Sequence, residues 1–116
     1  MATQVNAQAT EVNITIRKAR TVTLTITVTG ISSWTGLAAK FYYSKNRPDT
    51  AAKSITCTIT PAENKVAVVF VSADTKDLTD FYYHELLVYN TTSNWQKDIM
   101  HGKLIIGSVV KAEVVT

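Results

Sequence analysis

The stretch Val22-Thr23-Leu24-Thr25-Ile26-Thr27-Val28-Thr29 decides the fold class of this chain. Aliphatic residues occupy its even positions and threonines its odd positions, and the side chains of a β-strand point alternately to opposite faces of a sheet. In an α-helix the same aliphatic residues would be scattered around the whole circumference. The stretch is therefore predicted to be a strand with one apolar face and one threonine face.

The strand signal extends outward from this stretch in both directions. Upstream, residues 12–16 alternate in the same way, and a basic turn over residues 17–20 separates the two strands. Residues 72–78 are the one candidate helix, a short one that Ser72 or Asp74 would cap. Downstream, β-rich patterns predict strands over residues 37–43, 54–60, 65–71, 81–90 and 95–106, and an edge strand over residues 108–115.

Length and composition limit the chain to a single domain. It has 116 residues, of which 46% are hydrophobic and 18% charged, and this is enough to bury a core without cross-links. Residues 1–10 are small and polar and are predicted to be a flexible N-terminal arm, and residues 11–116 to be the domain. Seven or eight short strands with frequent turns predict an all-β antiparallel sandwich. An OB-fold or an up-and-down barrel stays open as the alternative.

Several partners and compartments are disfavoured by the sequence. The single cysteine, Cys57, excludes an intramolecular disulfide and is expected to be a small buried hydrophobe. The start of the chain lacks the basic and apolar segments of a signal peptide, and no apolar stretch approaches the ~20 residues of a membrane helix. The net charge of +3 is modest, and no ladder of aromatic and basic residues indicates a nucleic-acid surface. We expect synthesis in a reducing cytoplasm, with no membrane and no nucleic acid as partner.

Residue patterns typical of catalytic or metal sites are missing from the sequence. His84 and His101 lie on adjacent predicted strands, but two imidazoles fall short of the three or four protein ligands of a zinc site. Asp74, Asp77 and Asp80 lack the glycine and the distal glutamate of an EF-hand loop and are predicted to cap and turn the chain. No glycine-rich phosphate loop or nucleophile elbow is present. We expect a protein that is not an enzyme and has no cofactor.

A segment late in the chain makes the sandwich prediction more specific. Asp80-Phe81-Tyr82, at the start of a predicted strand, resembles the tyrosine corner of immunoglobulin-like sandwiches, in which a tyrosine bonds back to the preceding corner. His84 stands where antibody domains have their second disulfide cysteine, so an antibody-type domain is not implied. The fold expected is an all-β, immunoglobulin-like antiparallel β-sandwich of seven or eight strands.

The order of segments from residue 12 to residue 106 resembles the immunoglobulin-like domains of tailed-bacteriophage structural proteins, especially the N-terminal domain of upper baseplate and tail-fibre proteins. In that family an aromatic strand reaches a glutamate, as residues 82–86 do, and a turn–Gly–Lys–Leu strand follows, as at residues 102–106. In those proteins such a domain normally carries a long C-terminal extension, and because this sequence stops after the predicted sandwich, a free-standing domain is expected. The segments that carry the resemblance are EVNITIRKARTVTLTITVTG (11–30), SWTGLAAKFYYSK (33–45), ITCTITPAENKVAVVFVSADTKDL (55–78) and DFYYHELLVYNTTSNWQKDIMHGKLII (80–106).

The resemblance implies a non-enzymatic structural component of a tailed-phage virion, made in the host bacterial cytoplasm. Such a protein would be a capsid decoration or head-fibre protein, or a tail or baseplate adaptor, and would assemble with a phage capsid or tail protein and with copies of itself. Tryptophan and tyrosine dominate interface hot spots, so the predicted interface anchors are Trp34, Tyr43, Tyr89 and Trp95. At least one tryptophan is expected to fill the core instead.

The alternative function is a carbohydrate-binding β-sandwich for attachment to a host surface. In that case aromatic side chains would stack on sugar rings. The candidates for this contact are Trp34, Tyr42, Tyr43 and Trp95.

Overall fold

Strands make up most of the computed structural model, which describes residues 2–6, 10–46 and 52–109. The strands are β1 (Ala2–Asn6), β2 (Thr10–Glu11), β3 (Ile14–Arg17), β4 (Val22–Thr29), β5 (Leu37–Ser44), β6 (Lys53–Thr56), β7 (Thr58–Thr60), β8 (Lys65–Phe70), β9 (Phe81–Asn90) and β10 (Gln96–Gly107). A 3-10 turn, Pro61–Glu63, joins β7 to β8, and the short helix α1 (Ser72–Thr75) joins β8 to β9. Within the described ranges, no helix has the length and apolar character needed to cross a bilayer.

The strands form two sheets that face each other. One sheet has the order β1-β4-β8-β7, and the other has the order β2-β10-β9-β5-β6, with β3 also paired to β10. The predicted all-β sandwich is confirmed. Its sheets are mixed and not purely antiparallel, because β1 runs parallel to β4, and β2 and β3 run parallel to β10.

The core lies between the inner faces of the two sheets and follows the alternation of the sequence. On β4, Leu24, Ile26 and Val28 are buried, as predicted for its apolar face. They face Phe41 and Leu86 of the other sheet, and Phe41 meets Phe70 of β8 edge-on at 5.3 Å between ring centroids. Full burial of each such side chain stabilises the fold by about 1.5–3 kcal/mol.

The strand predicted over residues 54–60 is divided between the two sheets. β6 pairs with β5, whereas β7 pairs with β8 of the opposite sheet. The chain changes sheet at Cys57, whose N–H donates to the carbonyl of Ala39 at 3.0 Å. Burial raises the pKa of the Cys57 thiol to about 12, and the residue is half-buried where the sequence predicted a buried one.

The N-terminal segment holds more strand than the sequence suggested. Within the part predicted as a flexible arm, β1 pairs with β4 from Ala2 opposite Thr25 to Asn6 opposite Thr29. Residues 7–9 lie outside the described residues. A polar segment can take this place because an edge strand needs only backbone hydrogen bonds on one side.

The last strand departs from simple alternation at one point. A bulge between Asp98 and Met100 lets both Ile99 and Met100 point into the core. Met100 and Leu104 are buried as predicted, and Ile106 packs half-buried against the core. The strand predicted over residues 108–115 falls mostly on residues outside the described part of the chain.

Candidate functional site

The four predicted interface anchors separate into two buried and two accessible side chains. Trp34 is 9% exposed and donates its indole N–H to Asn64 Oδ1 at 3.0 Å. Tyr43 is 6% exposed, and burial, with a smaller effect of the Asp74 charge, raises the pKa of its hydroxyl. Both rings therefore belong to the core. Trp95 is 45% exposed, and Tyr89 lies half-buried on the outer face of the larger sheet.

Trp95 stands beside a concavity at one end of the sandwich, which we call the loop-end depression. Two loops border it, one between β4 and β5 (residues 30–36) and one between β9 and β10 (residues 91–95). It encloses about 260 Å³. Its lining residues in the described chain are Gly30, Ile31, Ser32, Ser33, Thr35, Leu37, Asn90, Trp95 and Lys97.

Hydrogen bonds tie the two bordering loops to each other. The backbone N–H and the hydroxyl of Thr91 both donate to the carbonyl of Gly36, at 3.1 and 3.3 Å. Asn90 receives two bonds at Oδ1 from Thr92 and donates its own N–H to the carbonyl of Trp95. Gly36 has φ +75°, which explains why a glycine occupies this turn. The walls of the depression are thus held in one arrangement.

A larger cleft lies on the outer face of the six-stranded sheet. It encloses about 490 Å³. Tyr42, Glu85 and His101 form a row across its floor on three adjacent strands, because Glu85 pairs with both of the others. Tyr83 and Asp98 also line it.

An aromatic group with two lysines lies at the opposite end of β9 from Trp95. The ammonium of Lys103 lies 4.8 Å from the ring centroid of Phe81, and that of Lys45 lies 4.5 Å from the centroid of Tyr82. Phe81 also meets Tyr83 edge-on at 5.8 Å. Phe81 is 39% exposed, and its cross-strand neighbour Ile105 is 37% exposed. These are ordinary surface cation–π contacts, each worth about 0.5–1 kcal/mol.

Tyr82 makes contacts other than those proposed for a tyrosine corner. Its ring meets Tyr43 edge-on at 6.1 Å and lies beneath the Lys45 ammonium. The preceding Asp80 adopts φ +59° and accepts a bond from the N–H of Ile106 at 2.8 Å. The corner at Asp80 is therefore joined to β10 through its backbone.

The two histidines lie on opposite faces of the same sheet. His84 opposes Gly102 in the ladder and points into the core, whereas His101 opposes Glu85 on the outer face. His84 Nε2 lies 2.7 Å from the carbonyl oxygen of Val12, so Nε2 carries the proton and donates it. Its Nδ1 has no hydrogen-bond partner among the described residues.

Burial keeps His84 neutral. It lowers the pKa of the imidazole, the bond to the Val12 carbonyl acts against this, and the nearby His101 adds to the lowering. The ring also stacks on Phe41 with 5.2 Å between centroids. His84 therefore fills the core and holds Val12, in the break between β2 and β3, as a structural residue does.

Of the three aspartates predicted to cap and turn the chain, Asp74 makes a side-chain bond at the start of the helix. Asp74 Oδ2 accepts the N–H of Val71 at 2.9 Å, and the N–H of Asp74 donates to the Val71 carbonyl at the same distance. The N-cap residue is therefore Val71, and not Ser72 or Asp74 as predicted, and the helix itself begins at Ser72. The described residues contain no group of three or more potential metal ligands.

Sequence reasoning missed the loop-end depression as a unit, although it named Trp95. The loops that form it have no periodicity, so their meeting follows only from the pairing of β5 with β9. The separation of Phe81 and Tyr83 from Leu86 and Val88 was predictable, because alternation along β9 places the two pairs on opposite faces of the sheet.

Comparison with known proteins gives a fold relative. No protein-family model matches the chain, and no curated protein does. Among solved structures, the N-terminal domain of phage TP901-1 ORF48 is similar with a TM-score of 0.60 and 10% sequence identity. The similarity covers 91% of this chain and 98% of that domain. The chain therefore shares its fold with a domain of a phage protein over almost the whole of both.

Proposed function

We propose that this protein is a non-enzymatic structural component of a tailed-phage virion, either a capsid decoration or head-fibre protein or a tail or baseplate adaptor. The observation that carries the proposal is the fold likeness to the N-terminal domain of phage TP901-1 ORF48, which covers nearly all of both chains. The motif order from residue 12 to residue 106, which resembles phage structural domains, supports it independently of the coordinates.

The strand order supports the immunoglobulin-like part of the proposal. In immunoglobulin sandwiches, strands B, E and D form one sheet, and strands C, F and G, with C′ in some members, form the other. Here β4, β8 and β7 correspond to the first set, and β6, β5, β9 and β10 to the second. The parallel strand β3 on β10 is an addition to that set.

Assembly is proposed to use the outer face of the six-stranded sheet. Its apolar and aromatic side chains form what we call the aromatic face, in which Phe81 and Ile105 are exposed and Tyr83, Leu87 and Tyr89 are half-buried. Residues of this kind are enriched at protein interfaces, and a sheet presents them on a rigid base. The partner would be a phage capsid or tail protein, with self-association of this chain as a further element.

Immunogold electron microscopy of particles from the source phage tests the proposal. Label over the heads identifies a decoration or head-fibre protein, and label at one end of the tail identifies an adaptor. Absence of label from both intact and disrupted particles, with the protein detected in the same lysate, would contradict the virion role.

A further inference from the structure

The loop-end depression combines an apolar floor with polar walls and an aromatic rim. Ile31 and Leu37, its partly buried apolar lining residues, are called the floor here because both pack against the core. The hydroxyls of Ser32, Ser33 and Thr35 and the amide of Asn90 belong to the walls. Such a distribution suits a small ligand that is itself apolar on one side and rich in hydroxyl groups at its margin.

Trp95, at the rim, is not held in the core as Trp34 is. Trp34 is buried and bonded to Asn64, whereas Trp95 leaves 45% of its surface exposed beside the depression. An exposed indole presents a flat apolar face together with an N–H donor. Its place at the mouth of a polar concavity distinguishes it from an isolated surface hydrophobe.

The charge of the lining adds to its selectivity. Lys97 is the charged side chain among the described lining residues, and it follows Trp95 by two positions at the start of β10. An ammonium near a hydroxyl-lined wall binds a carboxylate or phosphate through charge-assisted hydrogen bonds. A ligand with an acidic substituent is therefore favoured over a neutral one of the same shape.

We infer that the loop-end depression is a binding site for a pyranose saccharide, in which Trp95 stacks on the ring, Ser33, Thr35 and Asn90 bond its hydroxyls, and Lys97 binds an acidic substituent. The inference goes beyond the proposed function and does not depend on it. A pyranose has a C–H face that stacks on indole and a rim of hydroxyls, which matches the floor, walls and rim of the depression. Because the bordering loops are bonded to each other through Gly36 and Thr91, the site is formed before the ligand arrives.

Titration of the ¹⁵N-labelled full chain with saccharides, followed by NMR, tests the inference. The probes are methyl β-D-glucopyranoside, its C6-oxidised glucuronide, N-acetylglucosamine, methyl α-D-galactopyranoside and L-rhamnose. At least one probe should shift the indole N–H signal of Trp95 and the amides of Ser33, Thr35 and Asn90. The indole signal of the buried Trp34 should stay in place. The glucuronide should bind more tightly than the glucoside.

Three variants make the test specific. Trp95→Ala should weaken binding of the responding probe by roughly tenfold or more, and Lys97→Gln should remove the preference for the glucuronide. Phe81→Ala is the matched control, because Phe81 is a similarly exposed aromatic residue at the opposite end of β9. The spectrum of each variant reports whether it is folded.

The outcomes separate the inference from its rivals. Silence of the Trp95 signal toward all five probes would overturn it, as would shifts confined to the cleft at Tyr42 and Tyr83. An equal loss of saccharide affinity in the Trp95→Ala and Phe81→Ala variants would also count against it. Binding of a phage protein at Trp95 with no saccharide response would assign the depression to assembly instead. A negative immunogold result leaves these measurements unaffected, so the two proposals fail separately.

Discussion

Gly102 marks the closest approach between the N-terminal segment and the last strand. A Cβ at this position would lie 2.2 Å from the carbonyl oxygen of Val12, and the residue has φ +151°. The N–H of Val12 donates to the His101 carbonyl at 2.8 Å, and Asn13 Oδ1 accepts the N–H of Lys103 at 3.0 Å. The break between β2 and β3 is therefore fitted against β10 by two hydrogen bonds and by the close approach of Gly102 to Val12.

Substitution of Gly102 by alanine is expected to destabilise the protein by about 3 kcal/mol or more, since a fixed backbone atom must move in addition to the strain of positive φ. Gly36→Ala is the matched control. It shares a positive φ of +75°, but its Cβ would meet only Asn90 Nδ2 at an ordinary 3.7 Å, so about 1–2 kcal/mol is expected. Urea unfolding measures the free energy of unfolding of both variants, which can be compared if their m-values are equal. Equal costs for the two variants would refute the close contact with Val12.

His84 is expected to make stability depend on pH near neutrality. Folding lowers the pKa of His84 below its ordinary value of 6.5, so the unfolded chain binds a proton at a pH where the folded chain does not. The stability that comes from keeping His84 neutral is fully present above pH 6.5. It is lost as the pH falls from there toward the lower pKa of His84 in the folded protein. Urea midpoints between about pH 7.5 and about pH 5 measure this loss before most carboxylates titrate.

Two variants assign this pH dependence to one residue. His84→Gln should flatten the curve in that range, and His101→Gln, on the outer face of the sheet, should leave most of it in place. The reverse pattern would show that the outer histidine governs the effect.

Asn64 joins two elements that are distant in sequence, the β4–β5 loop and the β7–β8 turn. It adopts φ +54° after the 3-10 turn, and its side chain accepts the indole N–H of Trp34. Its carbonyl also accepts the N–H of Val28 at 2.8 Å. The side chain supplies the acceptor, while the backbone needs a residue that tolerates the left-handed region.

A series at Asn64 is expected to separate these two requirements. Asn64→Asp keeps both and should cost little, Asn64→Gly loses the acceptor and should cost about 1 kcal/mol, and Asn64→Ala loses both and should cost about 2–3 kcal/mol. Urea unfolding gives the order of stability of the variants. A change in the tryptophan fluorescence spectrum reports loss of the bond between Trp34 and Asn64. An aspartate variant as unstable as the alanine variant would refute the proposed role of the acceptor.

Strand identity was predictable from sequence, whereas strand continuity was not. The alternation of β4 and β9 fixes which side chains are buried, and the structure confirms both. At residues 54–60 the same alternation continues through Cys57, yet the chain changes sheets there, because a sheet change needs only a local bend in the backbone. The bulge at Asp98 likewise adds Ile99 to the core without a change in composition.

The candidate site was less predictable than the fold, for a related reason. The sequence shows that Trp34 and Trp95 are large aromatic residues in or next to predicted loops. Nothing in the local sequence tells which of the two is buried. The difference arises from a partner 30 positions away, Asn64, which bonds Trp34. Alternation along β9, in contrast, was sufficient to place Phe81 and Tyr83 on the face opposite to Leu86 and Val88, and the structure shows that the face of Leu86 and Val88 is the buried one.

At the scale of the whole molecule, the aromatic face and the threonine face make the two sides of the sandwich chemically different. The first exposes Phe81 and Ile105, and the second exposes Val69 beside the threonines of β4. If assembly uses the aromatic face, a charge introduced on that face should block assembly, and a charge introduced on the threonine face should not.

Phe81→Glu and Ile105→Glu are therefore expected to exclude the protein from phage particles, since a carboxylate in a desolvated interface costs several kcal/mol. Val69→Glu, at a site of similar exposure on the other sheet, should leave incorporation unchanged. Quantitative mass spectrometry of purified particles, with circular dichroism of each variant, measures this. Loss of incorporation with Val69→Glu alone would assign docking to the threonine face.

The parallel pairing of β3 with β10 also determines when the chain can fold during its synthesis. β3 leaves the ribosome early, but its partner β10 is among the last described strands to be made, and Leu104 must be present before Ile14 has its neighbour. Until then the apolar side of β3 has no sheet to join, and an unpaired strand is open to pairing with other nascent chains. A protein needed in many copies would therefore depend on rapid completion of translation, and slow codons placed before β10 would reduce its yield.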